Sequence, residues 1–215
     1  MRTVTTSSGF VHRFVPASEQ GSPTLLLLHG TGGDENDLLA LGSELVPGAA
    51  MLSPRGKVLE NGMPRFFRRL AQGVFDLEDL RFRTHELASF VNSASARYNF
   101  DPHRIIAVGY SNGANIAASM LLLHPSLLAG AILFRPSLPF MPDRVPDLAA
   151  IPVLVLAGRF DELVPQEETE RLAALLKEAR ASVILQWQSS GHTITSEDVE
   201  AGREWLLKNS STQLR

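Results

Sequence analysis

The sequence predicts an α/β protein built on a doubly wound, mainly parallel sheet with helices on both faces. Short apolar runs recur along the chain, as in TLLLLHG, IIAVGYS and VLVLAG, and such runs are typical of strands buried on both faces. Segments with helical periodicity separate the runs, and strand–helix alternation favours a parallel sheet. A chain of 215 residues, 44% of them apolar, is expected to form a single domain over 1–215.

Seven strands are predicted in chain order. The first alternates apolar and polar residues, as an edge strand does, and the others are almost wholly apolar. The strands cover residues 10–15, 24–30, 49–56, 105–111, 129–137, 153–158 and 183–188. Ligands of such sheets bind at the carboxyl ends of the strands, so we expect functional side chains there.

Five helices are predicted between the strands, at residues 34–45, 83–99, 112–124, 165–180 and 196–209. Helix 34–45 begins with acidic residues, which suit a helix N-terminus, and helix 165–180 begins with proline followed by glutamates. Helix 112–124 stops before Pro125. Residues 56–82 match neither period and are too long for a plain connection, so we expect a loop segment that shapes a pocket.

The composition excludes several classes of function. A net charge of −3 gives no electrostatic reason to expect nucleic acid or an anionic membrane surface as a partner. The absence of cysteine excludes disulfides, thiolate metal ligands and a cysteine nucleophile. Residues 1–14 lack the apolar core of a signal peptide, and the longest apolar run, residues 127–134, is far shorter than the roughly 18 residues of a membrane helix. We therefore expect a cytoplasmic location.

The segment VGYSNGAN places Ser111 between two glycines at G-x-S-x-G spacing, with a strand before it and a helix after it. This is the context of a nucleophile elbow. Gly109 and Gly113 are required because strand and helix nearly touch at so sharp a turn. The helix that begins at Asn112 directs its amide dipoles at a reacting carbonyl. The alternative is a plain strand-to-helix turn.

A serine needs a base, and His192 is the best-placed of six histidines. It follows a predicted strand in the loop SSGHTIT, where Gly191 lets the backbone bend so that the imidazole reaches over the sheet. The alternative is a loop histidine exposed to solvent. The other histidines lie on an edge strand, in helices, in a turn or in the 29–37 loop, at positions 12, 29, 85, 103 and 124.

An acid must orient the histidine, and AGRFDELVP offers Asp161 and Glu162 beyond the end of strand 153–158. Adjacent side chains diverge, so only one can point inward, and we favour Asp161. The alternative is an acidic residue at a helix start. Ser111, Asp161 and His192 then occur in the chain order found in α/β-hydrolases.

The oxyanion formed by acyl transfer needs two backbone N–H donors. The residue after the nucleophile, Asn112, supplies one, and the glycine-rich loop LLHGTGGDEND supplies the other, for which we choose Thr31. His29 is expected to hold this loop by hydrogen bonding. The alternative is phosphate binding, but the G-x-G-x-x-G pattern fails because Glu35 occupies the position of the last glycine.

Together these stretches resemble the phospholipase/carboxylesterase family of α/β-hydrolases, which includes acyl-protein thioesterase-like enzymes. The matching stretches are LLLLHGTGGDENDL, SPRG, GYSNGANIA, GAILFRP, AGRFDELVP and SGHTIT, and they span about residues 24–207. The segment SPRGKVLENGMPRFFRR is most similar to the MhqD-like bacterial carboxylesterases of that family. The resemblance implies an α/β-hydrolase fold without a large cap domain. Asn112 departs from the family, in which many members carry glutamine.

The resemblance implies hydrolysis of a small-molecule carboxylic ester through an acyl-enzyme, with no cofactor and no metal. Ser111 would be the nucleophile, His192 the base and Asp161 the orienting acid, with the amides of Thr31 and Asn112 as the oxyanion hole. Relatives are often dimers, so a homodimer is expected only by analogy. Two alternatives stay open: a thioesterase or lysophospholipase acting on longer acyl chains, and a ligand-binding protein without turnover.

Within residues 56–82, Met63, Phe66 and Phe67 are expected to form an apolar pocket wall. Arg65 and Arg68 are candidates to meet a substrate carboxylate, which would favour a small acyl group with an anionic end. The alternative is that the arginines are solvated and only the phenylalanines are buried.

Overall fold

The computed structural model describes residues 4–5, 9–19 and 21–210, so the first and last residues of the predicted domain and part of segment 1–14 lie outside the described residues. In chain order the strands are β1 (Val4–Thr5), β2 (Val11–Val15), β3 (Thr24–Leu28), β4 (Ala50–Pro54), β5 (Val58–Glu60), β6 (Met63–Arg65), β7 (Arg69–Ala71), β8 (Val74–Phe75), β9 (Ile105–Tyr110), β10 (Gly130–Phe134), β11 (Pro152–Gly158) and β12 (Ser182–Gln188). The helices are α1 (Leu39–Leu45), α2 (Leu77–Tyr98), α3 (Asn112–Leu123), α4 (Gln166–Glu178) and α5 (Ser196–Ser210).

Among these elements, eight strands form one sheet in the order β1-β2-β4-β3-β9-β10-β11-β12. The pairs from β4 through β12 are parallel, and β1 and β2 are antiparallel additions at one edge. The predicted doubly wound, mainly parallel sheet is confirmed. The predicted edge strand β2 is second from the edge, because the two-residue strand β1 pairs with it.

Buried side chains lie on both faces of the sheet. One apolar cluster joins the sheet to α2, α3 and α4, and the other joins it to α1 and α5. Every residue of β3, β4, β10 and β11 is buried, as the continuous apolar runs predict for central parallel strands. The described part of the chain contains no large cap domain.

Two predicted helices differ from the structure at their N-termini. Helix α1 begins at Leu39 rather than at 34, because the Asp34 side chain accepts the Asn36 N–H at 2.7 Å and forms a turn there. Helix α2 begins at Leu77 rather than at 83, because the Asp76 side chain caps it by accepting the Asp79 N–H. The 56–82 segment accordingly contains the hairpins β5–β6 and β7–β8 and the first six residues of α2.

No described helix is long and apolar enough to cross a membrane. The cytoplasmic location and the homodimer stay predictions.

Strand β9 and helix α3 approach each other so closely that a side chain fits at neither glycine of the turn. A Cβ on Gly109 would lie 2.5 Å from the carbonyl oxygen of Gly113. A Cβ on Gly113 would collide with the carbonyl oxygen of Leu28 and lie 2.6 Å from that of His29. The start of α3 therefore packs directly against the backbone at the end of β3.

His29 ties the loop after β3 to the end of β4. The Gly56 N–H donates to His29 Nε2 at 2.9 Å, so Nε2 is unprotonated and Nδ1 donates to the Gly30 carbonyl oxygen at 2.6 Å. Burial lowers the pKa of His29 below its ordinary value, which is consistent with a neutral ring. As expected from the sequence, this histidine holds the loop by hydrogen bonds.

We expect Gly113→Ala to destabilise the protein more than Gly62→Ala. The added methyl group at Gly113 meets fixed backbone, whereas Gly62 has no atom within 4 Å of a new Cβ and carries only the strain of its positive φ of 79°. That strain costs roughly 1–2 kcal/mol, and a backbone collision in the core is expected to exceed about 4 kcal/mol. Urea denaturation followed by circular dichroism measures both changes, and similar free energies of unfolding would contradict the packing argument.

We expect the free energy of unfolding to fall as the pH drops from 7 to 5, partly because of His29. The unfolded chain binds a proton near the ordinary histidine pKa of about 6.5, whereas the folded protein resists protonation down to its lowered pKa. Stability is therefore present above the ordinary value and lost below it, by at most about 1.4 kcal/mol per pH unit for one proton. Burial lowers the pKa of His12 as well, so His12 contributes in the same direction.

Replacing His29 by glutamine should make this pH dependence shallower, since the amide can donate and accept without titrating. The exposed His103→Gln serves as the control and should leave the slope as in wild type. Denaturant titrations at several pH values provide the measurement. An unchanged slope in His29→Gln would mean that its neutral form does not contribute to the pH dependence.

Candidate active site

Ser111 occupies the turn between β9 and α3 in a strained backbone conformation, with φ 52° and ψ −114°. A residue with a Cβ atom rarely adopts a positive φ, and such conformations persist where the surrounding structure enforces them. Here the Ser111 N–H donates to the Phe134 carbonyl oxygen at 2.9 Å, and the Ser111 carbonyl accepts from Asn115 at 3.0 Å. The turn thereby holds the hydroxyl above the carboxyl edge of the sheet.

The side chains of Ser111, His192 and Asp161 form one chain of hydrogen bonds. His192 Nδ1 lies 2.8 Å from Asp161 Oδ2, and His192 Nε2 lies 2.9 Å from Ser111 Oγ. An ionised carboxylate only accepts, so Nδ1–H donates to Asp161 and the serine hydroxyl donates to Nε2. The structure therefore brings together three side chains that follow β9, β11 and β12, far apart in sequence.

Asp161 is held in position by its own turn. Its Oδ1 accepts from the N–H groups of Leu163 and Val164 at 2.9 and 3.1 Å, which leaves Oδ2 directed at His192. The Asp161 side chain is only 3% exposed, whereas its neighbour Glu162 is exposed to solvent. Of the two candidate acids, the structure places Asp161 against the imidazole.

Thr31 and Asn112, the two candidate oxyanion donors, flank Ser111 at the pocket. Asn112 is the first residue of α3, and the first amides of a helix have no intrahelical acceptor. Its side chain Oδ1 accepts the Phe66 N–H at 2.8 Å, and Thr31 Oγ1 accepts from Arg65 Nη1 at 3.1 Å. The side chains of both residues are thus anchored, which fixes the backbone beside Ser111.

A cavity of about 330 Å³ opens at these groups. Polar and apolar residues from several loops and the 56–82 segment form its walls. The lining residues are Thr31, Arg65, Arg69, Gln72, Gly73, Phe75, Tyr110, Ser111, Asn112, Asn115, Ser137, Leu163, Val164 and His192. Within the described ranges, no group of three or more histidine, aspartate or glutamate side chains could hold a metal ion.

The structure corrects most of the substrate contacts expected from residues 56–82. Arg65 lines the cavity, but Phe66 and Phe67 are buried in the core behind it. Phe66 packs on the His29 ring, and Phe67 packs edge-to-face on Phe75, which is the aromatic residue that does line the cavity.

Met63 and Arg68 also lie away from the cavity wall. Met63 is 41% exposed on β6, near the backbone of Gly32. Arg68 points to solvent and pairs with Asp76 at 3.0 Å. Its neighbour Arg69, the first residue of β7, lies in the cavity wall instead.

Arg65 and Arg69 share one carboxylate. Glu60 lies 2.9 Å from Arg65 Nη1 and 2.8 Å from Arg69 Nε. The hydrogen bond from Arg69 lowers the pKa of Glu60, and burial lowers the pKa of Arg65. None of the described residues that line the cavity is a carboxylate. The two arginines of this wall are therefore paired with one carboxylate, that of Glu60, which is not among the lining residues.

Sequence analysis missed Tyr110 as well as Arg69. Tyr110 lines the cavity, donates its hydroxyl to the His192 carbonyl oxygen at 3.2 Å and packs beside the imidazole ring. Burial raises its pKa, so it stays a neutral donor. Its position directly before the serine, in the sequence G-Y-S-N-G, is the signal that points to it.

The chain is similar to known proteins in both sequence and structure. The dienelactone hydrolase family model matches residues 67–205. The hydrolase MhqD of Bacillus subtilis (strain 168) is 51% identical over 181 residues, which cover 84% of this chain and 90% of that protein.

Two solved structures are also similar. The Bacillus cereus carboxylesterase is 48% identical, with a TM-score of 0.91 over 93% of this chain and 94% of its own. YahD, solved with malic acid, is 31% identical, with a TM-score of 0.89 over 93% of this chain and 99% of its own. The expected carboxylesterase-like α/β-hydrolase is confirmed: the chain belongs to the dienelactone hydrolase family and is a hydrolase of the carboxylesterase type.

Proposed function

We propose that the protein hydrolyses small carboxylic esters through an acyl-enzyme, with Ser111 as nucleophile, His192 as general base and Asp161 as orienting acid. The observation that carries this proposal is the continuous hydrogen-bond chain from Asp161 through His192 to Ser111 at the mouth of the cavity. Each contact lies within the 2.6–3.2 Å that proton transfer requires.

In the acylation step, Ser111 Oγ attacks the ester carbonyl carbon while His192 Nε2 takes the hydroxyl proton. The carbonyl oxygen becomes an oxyanion, and the amides of Thr31 and Asn112 are proposed to donate to it. His192 then gives the proton to the leaving alcohol oxygen as the carbon–oxygen bond breaks. Asp161 stabilises the imidazolium that exists between these two events.

In the deacylation step, His192 takes a proton from water as the water oxygen attacks the acyl-enzyme carbonyl. The same two amides are available to the second oxyanion, and His192 returns the proton to Ser111 Oγ as the acid leaves. The cavity of about 330 Å³ suits a small acyl group.

We further propose that the preferred esters carry an anionic group on the acyl side. Arg65 and Arg69 face the cavity with a single carboxylate, that of Glu60, shared between them. A substrate carboxylate would balance the remaining positive charge and accept charge-assisted hydrogen bonds. The malic acid solved with YahD is a small acid of this kind, which supports the same chemistry here.

A fluorophosphonate probe should label the wild-type protein, and Ser111→Ala should abolish the labelling. The same substitution should lower kcat/KM for a small activated ester by about 10⁴-fold or more, since the nucleophile is lost. Ser89→Ala, at an exposed position on α2, is the control and should be labelled like wild type. Unlabelled wild type, or equal labelling in Ser111→Ala, would leave the ligand-binding alternative.

Arg69→Gln should lower kcat/KM for monomethyl succinate by about 10-fold and leave that for methyl butyrate within about 2-fold. The two esters have the same chain length and differ in one carboxylate, and a hydrogen bond to a charged group is worth about 1.5–3 kcal/mol. Arg68→Gln removes an adjacent arginine that faces Asp76 and should affect neither ester. Equal losses on both esters in Arg69→Gln would remove the charge argument.

A further inference from the structure

Arg135 is a buried cation that the proposed reaction does not use. It follows β10, its side chain is fully buried, and its backbone adopts a left-handed conformation with φ 55°. The Arg135 N–H donates to the Leu156 carbonyl oxygen of β11 at 2.8 Å, which fixes this unusual backbone. A charge is costly to remove from water unless it is paired and hydrogen-bonded, so the burial of Arg135 depends on the partners of its guanidinium.

The guanidinium of Arg135 donates hydrogen bonds to the loop that carries His192. Nε donates to the Gly191 carbonyl oxygen at 2.9 Å, and Nη2 donates to the Thr193 carbonyl oxygen at 2.9 Å. These are the residues immediately before and after the histidine. Nη2 also donates to Ser190 Oγ at 2.9 Å, so three of the four residues 190–193 bond to one rigid planar group.

Two further contacts connect this group to the rest of the fold. Nη1 donates to the Leu156 carbonyl oxygen at 3.1 Å on β11, the strand that leads to Asp161. Asp198, fully buried on α5, pairs with Nη1 and Nη2 at 2.9 and 2.5 Å. Asp198 Oδ2 also accepts the Thr195 N–H at 2.8 Å, which secures the chain between the histidine loop and α5.

The Arg135–Asp198 ion pair fixes the position of the loop that carries His192 and adds no net charge there. Asp198 neutralises Arg135 at contact distance, so the imidazole beside it meets no uncompensated cation. The Tyr110 hydroxyl holds the His192 carbonyl oxygen at 3.2 Å, so the backbone carbonyls of residues 191, 192 and 193 are all fixed by side chains. This leaves the imidazole little freedom to leave Ser111 and Asp161.

We infer that Arg135 is a positioning residue. It holds His192 between Asp161 and Ser111 by donating hydrogen bonds to the carbonyl groups of Gly191 and Thr193. Displacing a catalytic group by about 1 Å can cost on the order of 100-fold in rate. This inference rests on the proposed function, because it concerns the histidine of that reaction. It adds a residue that never touches the substrate.

The test is Arg135→Lys, which keeps the charge opposite Asp198 but has a single ammonium group in place of the planar fork. We expect kcat for a small activated ester to fall by about 10- to 100-fold while KM changes by less than about 3-fold. The downfield proton NMR signal of His192 Nδ1–H should shift or broaden, because its bond to Asp161 is loosened. Val91→Ala, a buried truncation on α2, is the control and should change the melting temperature but neither readout.

Folded Arg135→Lys protein with kcat within about 2-fold of wild type and an unchanged imidazole signal would overturn the inference. If Arg135→Lys does not fold, Ser190→Ala serves as the second test of the inference, because it removes one acceptor of the guanidinium and no charge. A kcat loss of about 3-fold with a shifted imidazole signal is then expected, and wild-type values for both would overturn it. Fluorophosphonate labelling of wild type at Ser111 is scored separately, so failure of the proposed function is distinguishable.

Discussion

The structure depends on one steric constraint, the direct contact between the start of α3 and the end of β3. Gly113 makes it possible, since any side chain there would meet the backbone of Leu28. The contact turns the chain so sharply that Ser111 adopts a positive φ, at a cost on the order of 1–3 kcal/mol. The strain is sustained by the buried sheet on one side and the buried helix on the other, which is why the hydroxyl has a fixed direction.

Most buried charges around the site have a full set of hydrogen-bond partners. Arg135 is paired with Asp198, and the Asp161 carboxylate accepts from two backbone amides and the imidazole. Arg65 and Arg69 differ, because they share Glu60 and face an open cavity. Desolvated ions are tolerated in proteins when they are paired, and this incomplete pairing is the basis of the proposal that Arg65 and Arg69 meet an anionic substrate group.

The sequence predicts seven of the eight strands of the main sheet and the residues that meet at its carboxyl edge. Apolar runs locate strands, and side chains just beyond parallel strands converge, which brings Ser111, Asp161 and His192 together. Residues 56–82 are harder to predict, because in a short hairpin a shift of one residue reverses the face to which each side chain points. The sequence therefore does not distinguish Arg68 from its neighbour Arg69, which lines the cavity. Arg135 was missed because it lies inside an otherwise apolar run.

The same segment links the proposed substrate-binding arginine Arg65 to the two proposed oxyanion donors, Thr31 and Asn112. Three consecutive residues at the end of β6 hydrogen-bond to the loop after β3 or to the start of α3. The Pro64 carbonyl accepts the Gly32 N–H, Arg65 donates to Thr31 Oγ1, and the Phe66 N–H donates to the Asn112 side chain. Arg65 also faces the cavity and pairs with Glu60. A ligand that binds Arg65 and shifts it would therefore also shift the residues proposed to donate to the oxyanion. In the proposed reaction, binding of the acyl end and stabilisation of the oxyanion would therefore both depend on residues 64–66.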